Sequence, residues 1–377
     1  LRVIAFCRFF LYTSTDFLKK GYEIVKNFKI LSGLSLATVL ALIPAQSLAK
    51  NSIVTQGSLT QTSGNDIYSG GFNKNTTGSG STSSNNNRTT LSGTDGGGVD
   101  YSNRIVYGGG NGDGTKAGGV YKFEENAPVV KNELTINKEA DVGIAIGGEG
   151  KGAQENTLKV SNGIVNIAVG GNATFAGNAN YSGDAIKNKV VIEGDKSVVK
   201  GTKNNFGENR ILIGGRAVGD KKAVGNGVEI SGGTIGSAGN AKNSVVGGYG
   251  QQGEISDNYV NISGGTFNNT HVYGAQADFG GAGILKGNSV TINSAGSVLK
   301  NIIGAAGGNV SSGNKIVFKN GTADNLYGAY NAKNSTDDGV EFSGGKVKNI
   351  YGSFADIAGA QIKGSKVDMS GGSSKET

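Results

Sequence analysis

"NYVNISGGTFNNTHVYGA", residues 258–275, decides how the rest of the chain is read. Val260 and Ile262 alternate with polar residues, which is the period of a strand with one face turned inward. Gly264-Gly265 then break the strand. A second phrase, "HVYGA" at 271–275, closes the unit.

Both phrases recur. The first appears as "NELTI" at 132, "NTLKV" at 156, "NKVVI" at 188, "NGVEI" at 226, "NSVTI" at 288 and "NKIVF" at 314. "DGVEF" at 338 and "SKVDM" at 365 are copies that replace the Asn. The second phrase reads "AIGG" at 145, "AVGG" at 168, "LIGG" at 212, "VVGG" at 245, "IIGA" at 302, "LYGA" at 326 and "IYGS" at 350. "IVYGG" at 105 belongs with these, and "NDIYSGG" at 65 and "NRTTL" at 87 read as degenerate copies.

Successive first phrases start 24, 32, 38, 32, 30, 26, 24 and 27 residues apart, a mean of about 29. Variable spacing between constant strand words places the insertions on loops. A propeller blade needs four strands in a longer repeat, of about 40–45 residues. Two strong strands per repeat, with a weak third in the polar segment, fit one coil of an all-β, right-handed parallel β-helix, or β-solenoid, with coils of about 29 residues. One coil alone buries too few aliphatic side chains to offset the ordering of its backbone, so the coils must stack.

Composition agrees. The chain of 377 residues has 67 Gly and only 2 Pro, with no collagen-like triplet. Gly and Asn tolerate the left-handed corners that a tight coil needs, and both are assigned to corners on that ground. Asn301, Asn325 and Asn349 precede the second phrase in consecutive repeats and read as a stacked ladder. Tyr273, Tyr327 and Tyr351 share one position, with Ile303 between the first two, and read as rung packing. An aromatic stripe for carbohydrate is the sharper alternative.

Residues 30–43, "ILSGLSLATVLALI", are an apolar run too short for an ordinary membrane span. Lys26 and Lys29 precede it, and "PAQSLA" follows it. That is the layout of a signal peptide cleaved after Ala49, with a retained anchor as the alternative and an unusually long segment ahead of it. The expected organisation is therefore an extended signal peptide over 1–49, a polar Ser/Thr/Asn/Gly-rich segment with degenerate coils over 50–102, and β-helix repeats over 103–377. Removing 1–49 leaves 30 basic and 27 acidic residues, so the formal charge of +7 belongs largely to the leader and implies no nucleic-acid partner. Cys7, the one cysteine, leaves too, so no disulfide framework is expected.

Little in the repeats carries chemistry. His271, the one histidine, sits in the slot filled elsewhere by Asn301, Asn325 and Asn349, and reads as a corner residue. No G-x-S-x-G occurs. "GYGQQG" at 248–253 matches a dinucleotide fingerprint, but a further strand phrase and no helix follows it. "GGNGDG" at 109–114 is a poor match to calcium-binding nonapeptides. Asp337-Asp338 and Glu124-Glu125 read as solvated loop charge, or as acids of a polysaccharide lyase. Outward strand positions mix charge and polarity, including Glu133, Lys159, Glu229, Tyr259 and Lys315. No catalytic, cofactor or metal site is expected. The sequence does not say which loops bind, and the longer insertions, 200–225 and 274–287, are the places to look.

The leader, the cysteine-free remainder and coils of "N-x-V-x-I-S-G-G-T … I/V-Y-G" type resemble the passenger domains of Gram-negative autotransporters, the type V secreted proteins. The resemblance covers residues 50–377 and is one of pattern. It implies export, display at the cell surface or outer membrane or release from it, and adhesin-like binding of a host-cell surface, matrix or glycan. It also implies translocation by a C-terminal β-barrel. The chain departs from the pattern there: it stops at "SKVDMSGGSSKET", inside a further coil, with no barrel. An extracellular β-helix enzyme and a purely structural stalk are the competing expectations.

Overall fold

The computed structural model describes residues 66–68, 88–92, 100–110, 116–117, 120–121, 128–175, 178–201, 210–237, 243–279, 281–371 and 373–374. These residues hold strands and turns and no helix. Nearly all the strands pair in parallel, each with the equivalent strand of the coils before and after it, which is the stacking of a β-solenoid.

The strands fall into four columns. The first column is built from the first phrase. It runs from Arg88–Ser92 through Glu133–Asn137, Thr157–Ser161, Lys189–Glu193, Gly227–Ile230 and Tyr259–Ile262. It continues through the starts of the long strands Ser289–Ala306 and Lys315–Tyr330 to Gly339–Phe342 and Lys366–Met369. The pairing is in register: Val228 lies beside Val260, and Val260 beside Val290. The second column is short, with pairs such as Val198–Val199, Thr234–Ile235 and Thr266–Phe267. The third column carries the second phrase, as in Arg210–Arg216, Asn243–Gly250 and Thr270–Ala277. The fourth column is a separate nine-stranded parallel sheet from Val129–Val130 to Gln361–Lys363, the place of the weak polar strand.

The stack also reaches into 50–102. Arg88–Ser92 pairs with Glu133–Asn137, and Asp66–Tyr68 pairs with the end of Asp100–Tyr107. The strand Asp100–Tyr107 crosses the expected boundary at 102/103, so stacking continues through it. Residues 1–49, including Ala49, lie outside the described residues. The two expected loops also contain columns. Within 200–225 lie Arg210–Arg216 and Ala223–Val224, and within 274–287 lies Ile284–Lys286. The insertions are shorter than their spacing suggests because a third-column or fourth-column strand interrupts each one.

The core has two compartments inside the coils, and a third buried cluster, with Ile146, Ile167 and Ile213, lies on the outer side of the third column. Alternate residues of the first column meet the inner faces of the second and third columns in one aliphatic cluster. Leu158, Val160, Val165 and Ala168 are one coil's contribution, all fully buried. Later coils exchange volume between columns: Phe318 and Phe342 stack with centroids 5.7 Å apart, and Ala323 replaces a larger residue in the second column. The other compartment, between the end of the third column and the fourth, is narrow and mostly alanine, with Ala153, Ala185, Ala223 and Ala275.

Glycine serves two purposes here, and only one is the corner role expected from sequence. Gly265 has φ of 100°, at the corner between the first and second columns. Gly274 has no such strain. A Cβ there would lie 2.6 Å from the Gly304 carbonyl oxygen of the next coil and 2.9 Å from the Ser289 carbonyl oxygen of the first column. Gly147, Gly170, Gly214, Gly247, Gly304 and Gly328 stand in the same relation to their neighbours. They form a seam where two columns approach backbone to backbone. Gly274→Ala is expected to cost about 1–3 kcal/mol by overpacking. Gly296→Ala, where a Cβ meets nothing within 4 Å, should change stability by less than about 0.5 kcal/mol. Equilibrium denaturation of the two variants checks the contrast.

Candidate functional site

The Asn that opens each first phrase is not a corner residue. The corner lies one position earlier, where Lys131, Glu155, Lys187, Asp257 and Asp337 have φ of 56°, 54°, 52°, 55° and 56°. The Asn itself is buried and extended into a ladder. Asn226 donates from its backbone N–H and its Nδ2 to Asn258 Oδ1, both at 2.9 Å. Asn258 does the same to Asn288 Oδ1 at 3.0 and 2.9 Å, and its Nδ2 also donates to the Ala223 carbonyl at 2.8 Å. The pattern runs from Asn132 through Asn156, Asn188, Asn226, Asn258 and Asn288 to Asn314.

It terminates at Asp338. This carboxylate accepts from Asn314 N and Nδ2 at 2.8 Å and from Ser335 Oγ at 2.6 Å, fully buried. An acceptor-only group is the natural end of a row whose donors all point the same way. Asp338, expected in a solvated loop or as a lyase acid, is thus a structural terminus, and Asp337 is the corner before it. Glu124 and Glu125 lie outside the described residues, as do 111–114 of "GGNGDG".

The second Asn ladder lies on the outer side of the third column. Asn325 Nδ2 donates to Asn301 Oδ1, and Asn349 Nδ2 to Asn325 Oδ1, each at 2.8 Å. Its donors run opposite to those of the buried ladder. Alongside it, Lys300 and Lys348 pair with Asp324 at 3.1 and 2.7 Å, and the Lys348 hydrogen bond chiefly holds that carboxyl below its ordinary range.

Next to these amides stand the tyrosines. Tyr327 and Tyr351 stack with centroids 5.0 Å apart and planes at 5°. Tyr273 sits two coils earlier in the same row, beyond Ile303, and packs on an outer apolar cluster with Val246 and Tyr249. Two aromatic residues absent from the sequence reading complete the group. Tyr330 and Phe354 stack at 5.7 Å, and each meets a tyrosine of its own coil edge-on, Tyr327 at 5.0 Å and Tyr351 at 5.6 Å. The parallel "YGAY" and "YGSF" spellings at 327 and 351 carry that signal. Tyr327 and Tyr330 are half-buried, and Tyr351 and Phe354, in the last described strand of the third column, lie against them at 37% and 38% exposure.

Earlier coils carry charge in the equivalent row. Arg216, Tyr249 and Gln276 are register neighbours. The Arg210 guanidinium lies 4.0 Å from the Tyr249 ring centroid, and its Nε donates to Gln276 Oε1 at 2.9 Å. Tyr249 donates to Asp278 Oδ1 at 2.5 Å. Burial chiefly, then that hydrogen bond, pushes the Tyr249 hydroxyl up to about 12. Burial also lowers the Arg216 guanidinium. Sequence spacing alone could not join Arg210 to Tyr249, because the contact depends on which coils stack.

His271 lies beside Ser244 in the third column, one place before Val272. "GYGQQG" at 248–253 spans the end of a strand and a turn, and the strand Glu254–Ser256 follows it. Among the described residues no group of three or more His, Cys, Asp or Glu could hold a metal ion, and no helix is long and apolar enough to cross a membrane. Comparison with protein families, with curated proteins and with solved structures finds no match for the chain.

Outward residues of the first column are laced across coils by ion pairs, including Lys159–Glu193 and Lys189–Glu229, both at 2.8 Å. Tyr259 donates to Glu229 at 3.1 Å and lies over Gly227, where a Cβ would run into its ring. Burial first, then Glu229, raises the Tyr259 hydroxyl from 10.0 to about 12.

Asn258→Ala should be costly. It removes the acceptor of Asn226 N and Nδ2, one of the two donors to Asn288 Oδ1 and the side-chain donor to the Ala223 carbonyl, at about 1–3 kcal/mol for each buried group left unsatisfied. Asn325→Ala, on the surface ladder, should cost less than about 1 kcal/mol. Urea denaturation compares them.

The raised tyrosines predict an alkaline limit. A tyrosine whose proton is held more tightly in the folded state contributes stability that is complete below its unfolded value. That contribution is lost as pH rises from 10.0 toward about 12. The melting temperature should fall across that window, and Tyr259→Phe should flatten the fall.

Proposed function

We propose that the chain is an exported, non-catalytic rod that binds surfaces in the manner of an adhesin, of the autotransporter passenger kind. In this reading residues 1–49 are a signal peptide cleaved after Ala49. The remainder winds as a right-handed β-helix of about 29 residues per coil. It is displayed at or released from the cell surface, with its translocating barrel supplied from outside this sequence. The partner is a host-cell surface, matrix or glycan, and no cofactor takes part.

One observation carries the reading: the amide and aromatic strip of Asn325, Asn349, Tyr327, Tyr330, Tyr351 and Phe354 on the outer side of the third column. Exposed aromatic side chains offer large contact area at low conformational cost. Amides beside them offer donors and acceptors to a polar partner. The ion pairs of the first column make a different surface, well solvated and of mixed sign, suited to spacing and solubility.

The test is adhesion of the purified chain to host cells and to matrix- and glycan-coated surfaces. Saturable binding is expected, weakened at least about tenfold by Tyr351→Ser with Phe354→Ser, a loss of about 1.4 kcal/mol or more. Absence of binding to every surface, or turnover of a polysaccharide by the purified chain, would overturn the reading.

A further inference from the structure

The sequence holds four Asn-Gly steps, at 111, 162, 226 and 320, and the last three fall among the described residues in three different environments. In this dipeptide the backbone nitrogen of the glycine can approach the side-chain carbon of the asparagine unhindered, because no Cβ stands in the way. Whether it does so depends on what holds the amide and what holds the nitrogen.

At Asn226-Gly227 both are held. The Asn226 amide is locked into the buried ladder, and the Gly227 N–H donates to the Asn188 carbonyl at 2.8 Å. At Asn162-Gly163 the amide turns toward the next coil, where its Oδ1 accepts from Lys196 N at 3.3 Å. Asn320-Gly321 differs from both. Asn320 is exposed, and its Oδ1 folds back over its own chain to accept from Gly321 N at 2.9 Å. That contact keeps the Gly321 nitrogen beside the Asn320 side-chain carbonyl group, whose carbon it would attack. Gly321, with φ of 124°, sits between the register pairs Asn293–Asn320 and Val298–Thr322, where the ladder of the two long strands is interrupted.

We propose that Asn320-Gly321 is a site of spontaneous self-modification, in which the folded protein cyclises and then deamidates this one asparagine. The Gly321 nitrogen forms a bond to Asn320 Cγ. The Cγ–Nδ2 bond breaks, the displaced proton passes through water to the leaving nitrogen, and ammonia departs. Water then opens the five-membered imide at either carbonyl, giving aspartate or isoaspartate. Nothing is oxidised or reduced, and water is the only co-reactant. The product carries one more negative charge on an exposed corner. Its isoaspartate form adds a backbone atom where the register already shifts, so the stack on either side keeps its pairing.

The test uses the full folded chain, held in mildly alkaline buffer and sampled over days by peptide mapping with fragmentation that separates aspartate from isoaspartate. Acid at 320 should accumulate at least about tenfold faster than at 226 or 162, about 1.4 kcal/mol in barrier. Asn320→Gln, whose longer side chain must close a larger ring, should show no conversion at 320 while the other sites are unchanged. Denatured chain should convert at 226 and 162 as well. Equal rates at the three sites in the folded protein, or an intact amide at 320 in folded chain while denatured chain converts there, would overturn the proposal.

Discussion

The buried asparagine ladder is the constraint on which the rest of the structure depends. Each amide accepts two hydrogen bonds from one neighbouring coil, donates one to the other, and donates another to a fourth-column carbonyl. A shift of any coil by one residue would break all of these bonds and turn the alternating aliphatic residues outward. The ladder therefore sets the register, and the register brings Val228, Val260 and Val290 into one row. Buried polar groups are costly unless satisfied, and here the partners come from the equivalent residue of the next coil and from a fourth-column carbonyl. Specificity of stacking and stability of stacking thus come from the same bonds.

The glycine seam follows from that geometry. For the ladder amides to reach the fourth column, the first and third columns must come close beside them, and only a residue without a side chain fits between. This is why the second phrase holds a glycine whether its preceding residue is Ile, Val or Tyr. It also explains the two unequal core compartments. On one side of the seam there is room for Leu, Ile and Phe, and on the other mainly for Ala.

Much of the parallel fold was legible in the sequence, because strand periodicity and the repeated phrases report local inward and outward facing. Val260 and Ile262 could be placed on a buried face from their spacing alone. Asn301, Asn325 and Asn349 were legible as a ladder, whereas the asparagines that open the first phrase were legible only as markers. Asn tolerates left-handed backbone, so the corner role was the simpler inference, yet the corner is filled by charged residues and glycine one position earlier. Asp338 was misread for a related reason: its burial depends on Asn314 and Ser335, which reach it only through stacking. The outer strip was half legible. Tyr327 and Tyr351 stood in one column of the alignment, whereas Tyr330 and Phe354 fall beyond the glycine, where the aliphatic pattern no longer guides the eye. The Arg210–Tyr249 contact had no local signal.

The partners in the buried ladder lie between 24 and 38 residues apart along the chain, yet their side-chain bonds stay within 2.8–3.0 Å. Chain length between rungs is therefore decoupled from the spacing of the rungs. Connections can lengthen, shorten or change composition while the neighbouring windings keep the same contacts. Drift in the linkers is thus invisible to the scaffold, and natural variation can remodel the outside of the molecule one segment at a time without renegotiating its inside.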